Sequence, residues 1–224
     1  MTYAVIPAKG FDGAKQRLAS FLQPEERRAL MRAMLTNTLI ACTQARSVSG
    51  VGVVTSDREV AEMVTTLGAE VLWEPEAQGH SQAVAVGVEV CRQRGIAAIL
   101  TLPGDLPLLT TADVQAILRP SVPAVPVLLV PNHDALGTNA VVLSPPDCLP
   151  LAFGHDSFQR HLHLAAARHL AVEIRRLPRV ALDIDEPSDL AVLMAQQATC
   201  QSAQVLAALG VLDRLAQAFP PAHR

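Results

Sequence analysis

Aromatic side chains are scarce, at 3% of the 224 residues, with one Trp and one Tyr. That removes the stacking platforms on which single-strand nucleic-acid binders rely. An excess of positive charge is missing too. The formal net charge is −3, so no global cationic field exists to attract nucleic acid. Lysine is nearly absent: Lys9 and Lys15, six positions apart, stand against 16 arginines. The four cysteines, Cys42, Cys91, Cys148 and Cys200, form no CxxC pair and have no histidine at zinc spacing. Neither a disulfide framework nor a zinc site is expected, and the thiols read as buried and free.

Long membrane-spanning runs are lacking as well. Residues 190–212 carry no charge, but Gln196, Gln197, Thr199, Gln201, Ser202 and Gln204 interrupt them, so soluble helices are expected. Pro7 and Lys9 break the first apolar run, so no signal peptide and a cytoplasmic location are expected. Half of the chain is hydrophobic. That suffices for one substantial core and excludes a wholly disordered protein.

What is present alternates strand with helix. Strands are expected at 3–7, 51–55, 70–73, 96–102, 125–130, 140–143, 171–177 and 180–184. Helices are expected from Pro24 to about Arg46, at 57–67 with Asp57 as N-cap, and at 80–94. Further helices are expected at 112–119 behind Thr110 or Thr111, at 156–169, at 187–196 and at 202–218. The proline-rich stretch 120–131 reads as a turn into an edge or strand start. The alternation predicts an α/β fold: a mostly parallel sheet with helices on both faces. Ligands then belong at the carboxyl ends of the strands, near a switch point. The division expected is a catalytic domain over 1–198 and a C-terminal helical tail over 199–224.

Chemistry concentrates in five segments. Lys9, Lys15 and Arg17 follow the first strand in PAKGFDGAKQRL, a loop whose Gly10 and Gly13 allow close backbone approach. Three cations there suit a polyphosphate, although neither GxxxxGK[ST] nor GxGxxG is present. Asp105, in LTLPGDLPLL, is the only acid between Glu89 and Asp113. A lone carboxylate among apolar residues is costly to bury unless paired or bound to a cation, and magnesium takes such oxygen ligands. Asp183 and Asp185, in ALDIDEPSDL, share one face if 180–184 is a strand. Capping of the next helix accounts for Asp185, Glu186 and Asp189, but not for Asp183.

Thr138 and Asn139 stand just before an apolar strand, and Gly154, Asp156 and Ser157 lie at the start of a helix carrying Arg160 on its first turns, an arrangement suited to a small anion. Simple capping by Asp156 or Ser157 is the competing explanation. His155, His161, His163 and His169 lack HExxH spacing, and Leu162 and Leu164 mark the apolar side of that helix, which disfavours a histidine metal site.

Lys9, Lys15-x-Arg17-Leu18, LPGDLPLL, GTNA, FGHDSF and LDIDEPSDL, in this order over roughly residues 3–194, resemble the phospholactate guanylyltransferase family of coenzyme F-420 biosynthesis. The resemblance implies a Rossmann-like nucleotide-diphospho-sugar transferase fold. It also implies transfer of GMP from GTP to 2-phospho-L-lactate, phosphoenolpyruvate or 3-phospho-D-glycerate. Asp105 and Asp183 would hold Mg2+, Lys9 and Lys15 would meet the triphosphate, and Thr138, Gly154 and Ser157 would contact the acceptor. Many relatives carry Asn where this chain reads His80-Ser81-Gln82-Ala83; Ser81 or Gln82 would stand in. GTP and a small phospho-acid are the partners expected, with a homodimer and hand-over to the next transferase compatible with the sequence. Two other functions share the features: a molybdenum-cofactor or sugar-phosphate nucleotidyltransferase, and a non-catalytic nucleotide-binding module. GTNA and FGHDSF weigh against the former, and retention of both acids and all three cations against the latter.

Overall fold

The computed structural model describes residues 1–76, 78–196 and 199–218. Burial is continuous from Tyr3 to Pro7 along the first strand, β1 (Thr2–Pro7), and only the face alternates: Tyr3 and Val5 enter one apolar cluster, Ala4 and Ile6 another. A strand buried on both faces needs helices above and below, and the chain supplies them.

Helix α1 (Pro24–Thr43) starts with Pro24 in its first turn, where the missing N–H costs nothing, and Glu26 accepts from the Gln23 amide. Strand β2 (Val48–Thr55) pairs parallel to β1, and α2 (Arg58–Thr66) follows, capped as expected by Asp57 on the Val60 N–H. Next come β3 (Glu70–Trp73), α3 (His80–Gln93), β4 (Ile99–Thr101) and α4 (Thr111–Ile117), with Thr110 as N-cap. The chain continues through β5 (Val127–Pro131), β6 (Thr138–Leu143), α5 (Ser157–Ala167) and β7 (Val172–Ile174). It closes with α6 (Pro187–Ala195), α7 (Gln201–Ala208) and α8 (Val211–Ala218).

The seven strands lie in the order β3-β2-β1-β4-β6-β5-β7. The pairs among β3, β2, β1 and β4 are parallel, as is β5 with β7, while β6 is antiparallel to both neighbours. Leu35 and Leu39 of α1, Val60 and Val64 of α2 and Val114 of α4 fill one face. Ala83 and Cys91 of α3 with Phe158 and Ala165 of α5 fill the other. Leu30 and Met34, on another side of α1, join Leu190 of α6, Leu206 of α7 and Val211 and Leu215 of α8 in a third cluster. The boundary expected at 198 falls outside the described residues, as do 219–224 of the tail. Among the described residues no helix is long and apolar enough to cross a membrane. All four thiols are free, and Cys42 and Cys91 are buried.

Three expectations need correction. Residues 180–184 are not a strand. The Val180 and Ala181 amides both donate to the Leu177 carbonyl, the Ala181 carbonyl accepts from His133, and the Val180 carbonyl accepts from the Asn139 side chain. The backbone groups are thus satisfied by a turn and cross-links instead of a ladder. The helix expected over 202–218 is two, because Gly210 adopts φ +65° between α7 and α8. The proline-rich stretch does lead into a strand start, but β5 lies between β6 and β7 and is not an edge.

Gly87 sets how closely α3 lies on the sheet. A methyl there would sit 2.3 Å from Cγ1 of Val5 and 3.2 Å from Cγ2 of Val54. Gly87→Ala gains helix propensity of about 1 kcal/mol but forces an overlap costing roughly 1–3 kcal/mol. Urea titration should show a net loss of up to about 2 kcal/mol, and raised stability would contradict this packing.

Candidate active site

The carboxyl ends of β1 and β4 define the crevice, since the chain leaves β1 for β2 on one side and β4 arrives on the other. The first loop carries the cations. It is fastened from beneath by Arg27, a buried residue of α1 whose guanidinium donates to the carbonyls of Ala14 (3.2 Å) and Leu22 (2.7 Å). The loop after β4 carries Asp105. Because β6 runs antiparallel to β4, with Thr101 opposite Val141, its opening residues Thr138 and Asn139 lie beyond the same end of β4. A parallel strand there would have put them at the far edge.

Two cavities of about 460 and 480 Å³ adjoin in this crevice. The first is lined by Lys9, Lys15 and Arg17 with Glu74 and Gly79. The second is lined by Thr138, Asn139, Gly154, Ser157 and Asp183. Arg17, His80, Pro103, Asp105 and Asp185 line both. Lys9, Lys15, Arg17, Asp105, Thr138, Gly154, Ser157 and Asp183 therefore line one cavity or both, whereas Ser81, Gln82, Asp156 and Arg160 line neither. Ser81 instead accepts the Phe153 N–H at 2.8 Å, tying the first turn of α3 to the loop that carries Gly154.

Lys15 does not stand free toward the first cavity. Its ammonium lies 2.5 Å from Asp105 and 2.9 Å from Asp185, with only 7% of the side chain exposed. Burial works against its charge, but the two carboxylates outweigh it and hold the group well above the ordinary lysine range. Lys9 is exposed and, among the described residues, makes no ion pair. Arg17 is exposed and 3.7 Å from Glu186.

Asp183 is held by the Asn139 side-chain amide at 3.2 Å, and Asn139 is itself anchored on the Val180 carbonyl. Its carboxyl is pushed up to about 6 by burial first and then by Asp105, with the Asn139 hydrogen bond opposing and Asp185 adding to the rise. Asp183 and Asp185 thus reach the site without the shared strand face expected of them: one is positioned by Asn139, the other by Lys15. Asp189 is spent on α6, accepting from the Asp185 and Glu186 amides at 2.8 and 2.7 Å.

Capping does not explain the start of α5. Asp156 occupies the N-cap position with φ 59° and no side-chain cap bond, and Gly154 stands at φ +117°, open only to glycine in practice. Ser157 and Thr138 are buried and within 3.4 Å of each other. His161 is fully buried, on the same face as Ser157, Phe158 and Ala165, while Leu162 and Leu164 are only half-buried. Leu162 and Leu164 pack against the same cluster, as expected of the apolar side, but His161, Phe158 and Ala165 lie deeper. His161 bonds Thr138 at 3.1 Å and the Ala152 N–H at 3.0 Å. Its pKa is lowered to about 4 by burial and by Arg160.

Sequence reasoning left out Glu74, His80 and His161. Glu74 is buried, with Oε2 unpartnered, and burial raises its pKa while Lys9 opposes. His80 packs on Phe153 at 4.5 Å, its Nε2 buried without a partner. Burial lowers the His80 pKa, with Asp105 opposing and Lys9 adding. For His161 a signal existed: it lies four residues after Ser157, one helical turn along the same face.

The donor set fits a hard divalent cation. The second cavity is lined by six acids, Asp105, Asp134, Asp183, Asp185, Glu186 and Asp189, against a single arginine, Arg17. The Asp105 Oδ1 atom is buried without a partner. Among the described residues no three Asp, Glu, His or Cys side chains gather closely enough to hold a metal by themselves. Two carboxylates completed by substrate oxygens are the usual way magnesium is held.

Asp183 carries a folded pKa of about 6 against an ordinary 3.8, so the folded state binds its proton better than the unfolded one. Stability from this group rises as pH falls through 6 toward 3.8, and the ionised form is a burden at pH 7.5. Asp183→Asn, assayed with chelator at pH 7.5, should raise stability by about 2 kcal/mol, a gain of roughly 4–8 °C in Tm. The gain should vanish near pH 4. A lower Tm at pH 7.5 would refute the strained carboxylate.

The guanylyl transferase CofC-like family model matches residues 2–217. A phosphoenolpyruvate guanylyltransferase from Conexibacter woesei is 41% identical over 193 residues, 86% of either chain. A 2-phospho-L-lactate guanylyltransferase from Methanothermobacter thermautotrophicus is 34% identical over 84% of this chain and 82% of its own. A 3-phospho-D-glycerate guanylyltransferase from Colwellia psychrerythraea is 33% identical over 86% of this chain and 90% of its own. Among solved structures, one described as a nucleotide-diphospho-sugar transferase from Desulfovibrio desulfuricans G20 superposes with TM-score 0.78 at 15% identity, covering 98% of this chain and 99% of that one. The likeness confirms the nucleotidyltransferase type of α/β fold. With the family model spanning nearly the whole chain and relatives above 30% identity over most of their length, the chain belongs to the guanylyl transferase CofC-like family.

Proposed function

We propose that the protein transfers GMP from GTP to a small phosphorylated carboxylic acid, releasing pyrophosphate, as a step of coenzyme F-420 biosynthesis. One observation carries the reading: a cavity lined by the loop of Lys9, Lys15 and Arg17 and a hydroxyl-lined cavity meet at Asp105 and Asp185. Two anionic reactants could occupy them and touch at that shared wall. Relatives are named for phosphoenolpyruvate, 3-phospho-D-glycerate and 2-phospho-L-lactate. Phosphoenolpyruvate, the acceptor named for the 41% identical relative, is the first to test.

In this reading the acceptor's phosphate oxygen attacks the α-phosphorus of GTP, the bond to the β-phosphate oxygen breaks, and pyrophosphate departs. A phosphate monoester has its second pKa near ~6, so it is largely dianionic at neutral pH and needs no general base. Mg2+ held by Asp105 and Asp183 would supply charge neutralisation on the transferring phosphoryl group. Lys9 and Arg17 neutralise the triphosphate and the charge growing on pyrophosphate. Lys15 balances Asp105 and Asp185 in the free protein and lies within reach of the same phosphates. Gly79 and His80, at the start of α3, add backbone N–H groups that no side chain caps. Thr138, Ser157 and the chain around Gly154 bind the acceptor. The product is a phosphoanhydride suited to hand-over to the next transferase, and the setting is cytoplasmic.

The test incubates the protein with GTP, Mg2+ and each phospho-acid and reads the product by mass. GMP-linked product with one acid, absent with CTP, is expected. Asp105→Asn should lower turnover by at least roughly a hundredfold, as for loss of one preorganised electrostatic group, with circular dichroism unchanged. EDTA should abolish turnover and added Mg2+ restore it. Activity of Asp105→Asn near that of the wild type would refute the metal role, and exclusive use of CTP with a sugar phosphate would refute the assignment.

A further inference from the structure

The hydrogen-bond directions around Thr138 are over-determined. The Ala152 N–H donates to Nε2 of His161 at 3.0 Å, so that nitrogen carries its lone pair. A neutral imidazole then has its proton on Nδ1. Nδ1 lies 3.1 Å from the Thr138 hydroxyl and must donate to it. Ser157 donates to the same oxygen at 3.4 Å. Both lone pairs of the Thr138 oxygen are thereby filled, and all three side chains are buried. The hydroxyl has only its own proton left to offer, and Thr138 lines the second cavity.

We infer that His161 is a positioning residue for the acceptor: held as the Nδ1–H tautomer by the Ala152 amide, it forces Thr138 to present a proton, never a lone pair, to the ligand. The opposite tautomer would draw the Thr138 proton inward and turn an oxygen lone pair toward the cavity. An ionised phosphate or carboxylate offers only acceptor oxygens, so the network favours such an anion and disfavours a group that can only donate, such as an ammonium, at that point. Burial keeps the ring neutral, which preserves the directionality. The inference rests on the proposed reading of the second cavity as the acceptor site and adds what sets its polarity.

Two substitutions separate the roles of the two nitrogens. His161→Asn keeps an N–H donor where Nδ1 stands, and His161→Gln places its amide at the level of Nε2. His161→Gln should raise the KM for the phospho-acid about tenfold to a hundredfold, the range for one hydrogen bond to a charged group. Its kcat and its KM for GTP should stay within about threefold. His161→Asn should recover most of the loss. In a Thr138→Val background, His161→Gln should add almost nothing, because the hydroxyl it orients is gone. Nitrogen-15 NMR of the wild-type imidazole should show a protonated Nδ1 and a bare Nε2.

Equal damage to both KM values, His161→Asn no better than His161→Gln, full additivity with Thr138→Val, or a protonated Nε2 would each overturn the inference. Failure of the proposed reaction shows separately, as wild-type protein that makes no product from GTP and any of the three acids. Calorimetric binding of phosphoenolpyruvate to the same variants then decides the inference in its place, with the same ordering expected and equal affinities overturning it.

Discussion

Everything in the crevice depends on carboxylates held closer together than their charge favours. Burial first, and then repulsion from Asp105, lift the Asp183 pKa to about 6, and Asp185 adds to the effect. The free protein offsets part of this with one buried ammonium, Lys15, between Asp105 and Asp185. It leaves Asp183 to an amide hydrogen bond and, among the described residues, Asp105 Oδ1 with no partner. Such an arrangement costs stability, and under the proposed reading a cation and phosphate oxygens would complete it. Strain retained at a functional site is the usual reason for a conflict of this kind.

The fold brings this about with few elements. Parallel β1 and β4 deliver two loops to one edge, and the single reversal at β6 delivers Thr138 and Asn139 there as well. Asn139 then reaches across to Asp183 and to the Val180 backbone, so a segment without a strand ladder is fixed by one side chain. Arg27 does the same for the cationic loop from the other side. Both are buried polar groups with their bonds satisfied, which is why they can order loops that have no regular structure of their own.

The fold was largely legible because its strands are buried on both faces and its helix starts carry ordinary signals, such as Asp57, Thr110 and Pro24. Residues 180–184 misled because an apolar run with alternating acids looks like a strand wherever its carbonyls go, and here they go to His133 and Asn139. The positions of Lys9, Lys15, Arg17, Asp105 and Asp183 in one crevice followed from the rule that ligands gather at strand ends. Their partners did not. Nothing in the spacing of Lys15 and Asp185, 170 residues apart, announces an ion pair. His161 was dismissed as a metal ligand on sound grounds, but the question of what a buried imidazole bonds to was left unasked. The i, i+4 relation to Ser157 was the available clue.

The two cavities handle negative charge by different physics. In the first, under the proposed reading, Lys9 and Arg17 would act on a polyphosphate by their formal charge while Lys15 is tied between Asp105 and Asp185, and such a field reaches several ångströms and weakens with salt. In the second, formal charge has the wrong sign, since acids outnumber the single arginine. An anion can be held there only by directed dipoles and by a cation that the acids themselves recruit. Hydroxyls free to rotate would be poor donors to a ligand, because their protons could turn to the carboxylates that line the cavity instead. A neutral, buried imidazole with its tautomer fixed by a backbone amide removes that freedom without adding a charge that Asp183 would attract. The division fits the reactants: a flexible polyphosphate tolerates a diffuse field, whereas an acceptor that must attack in line needs its oxygens fixed in direction.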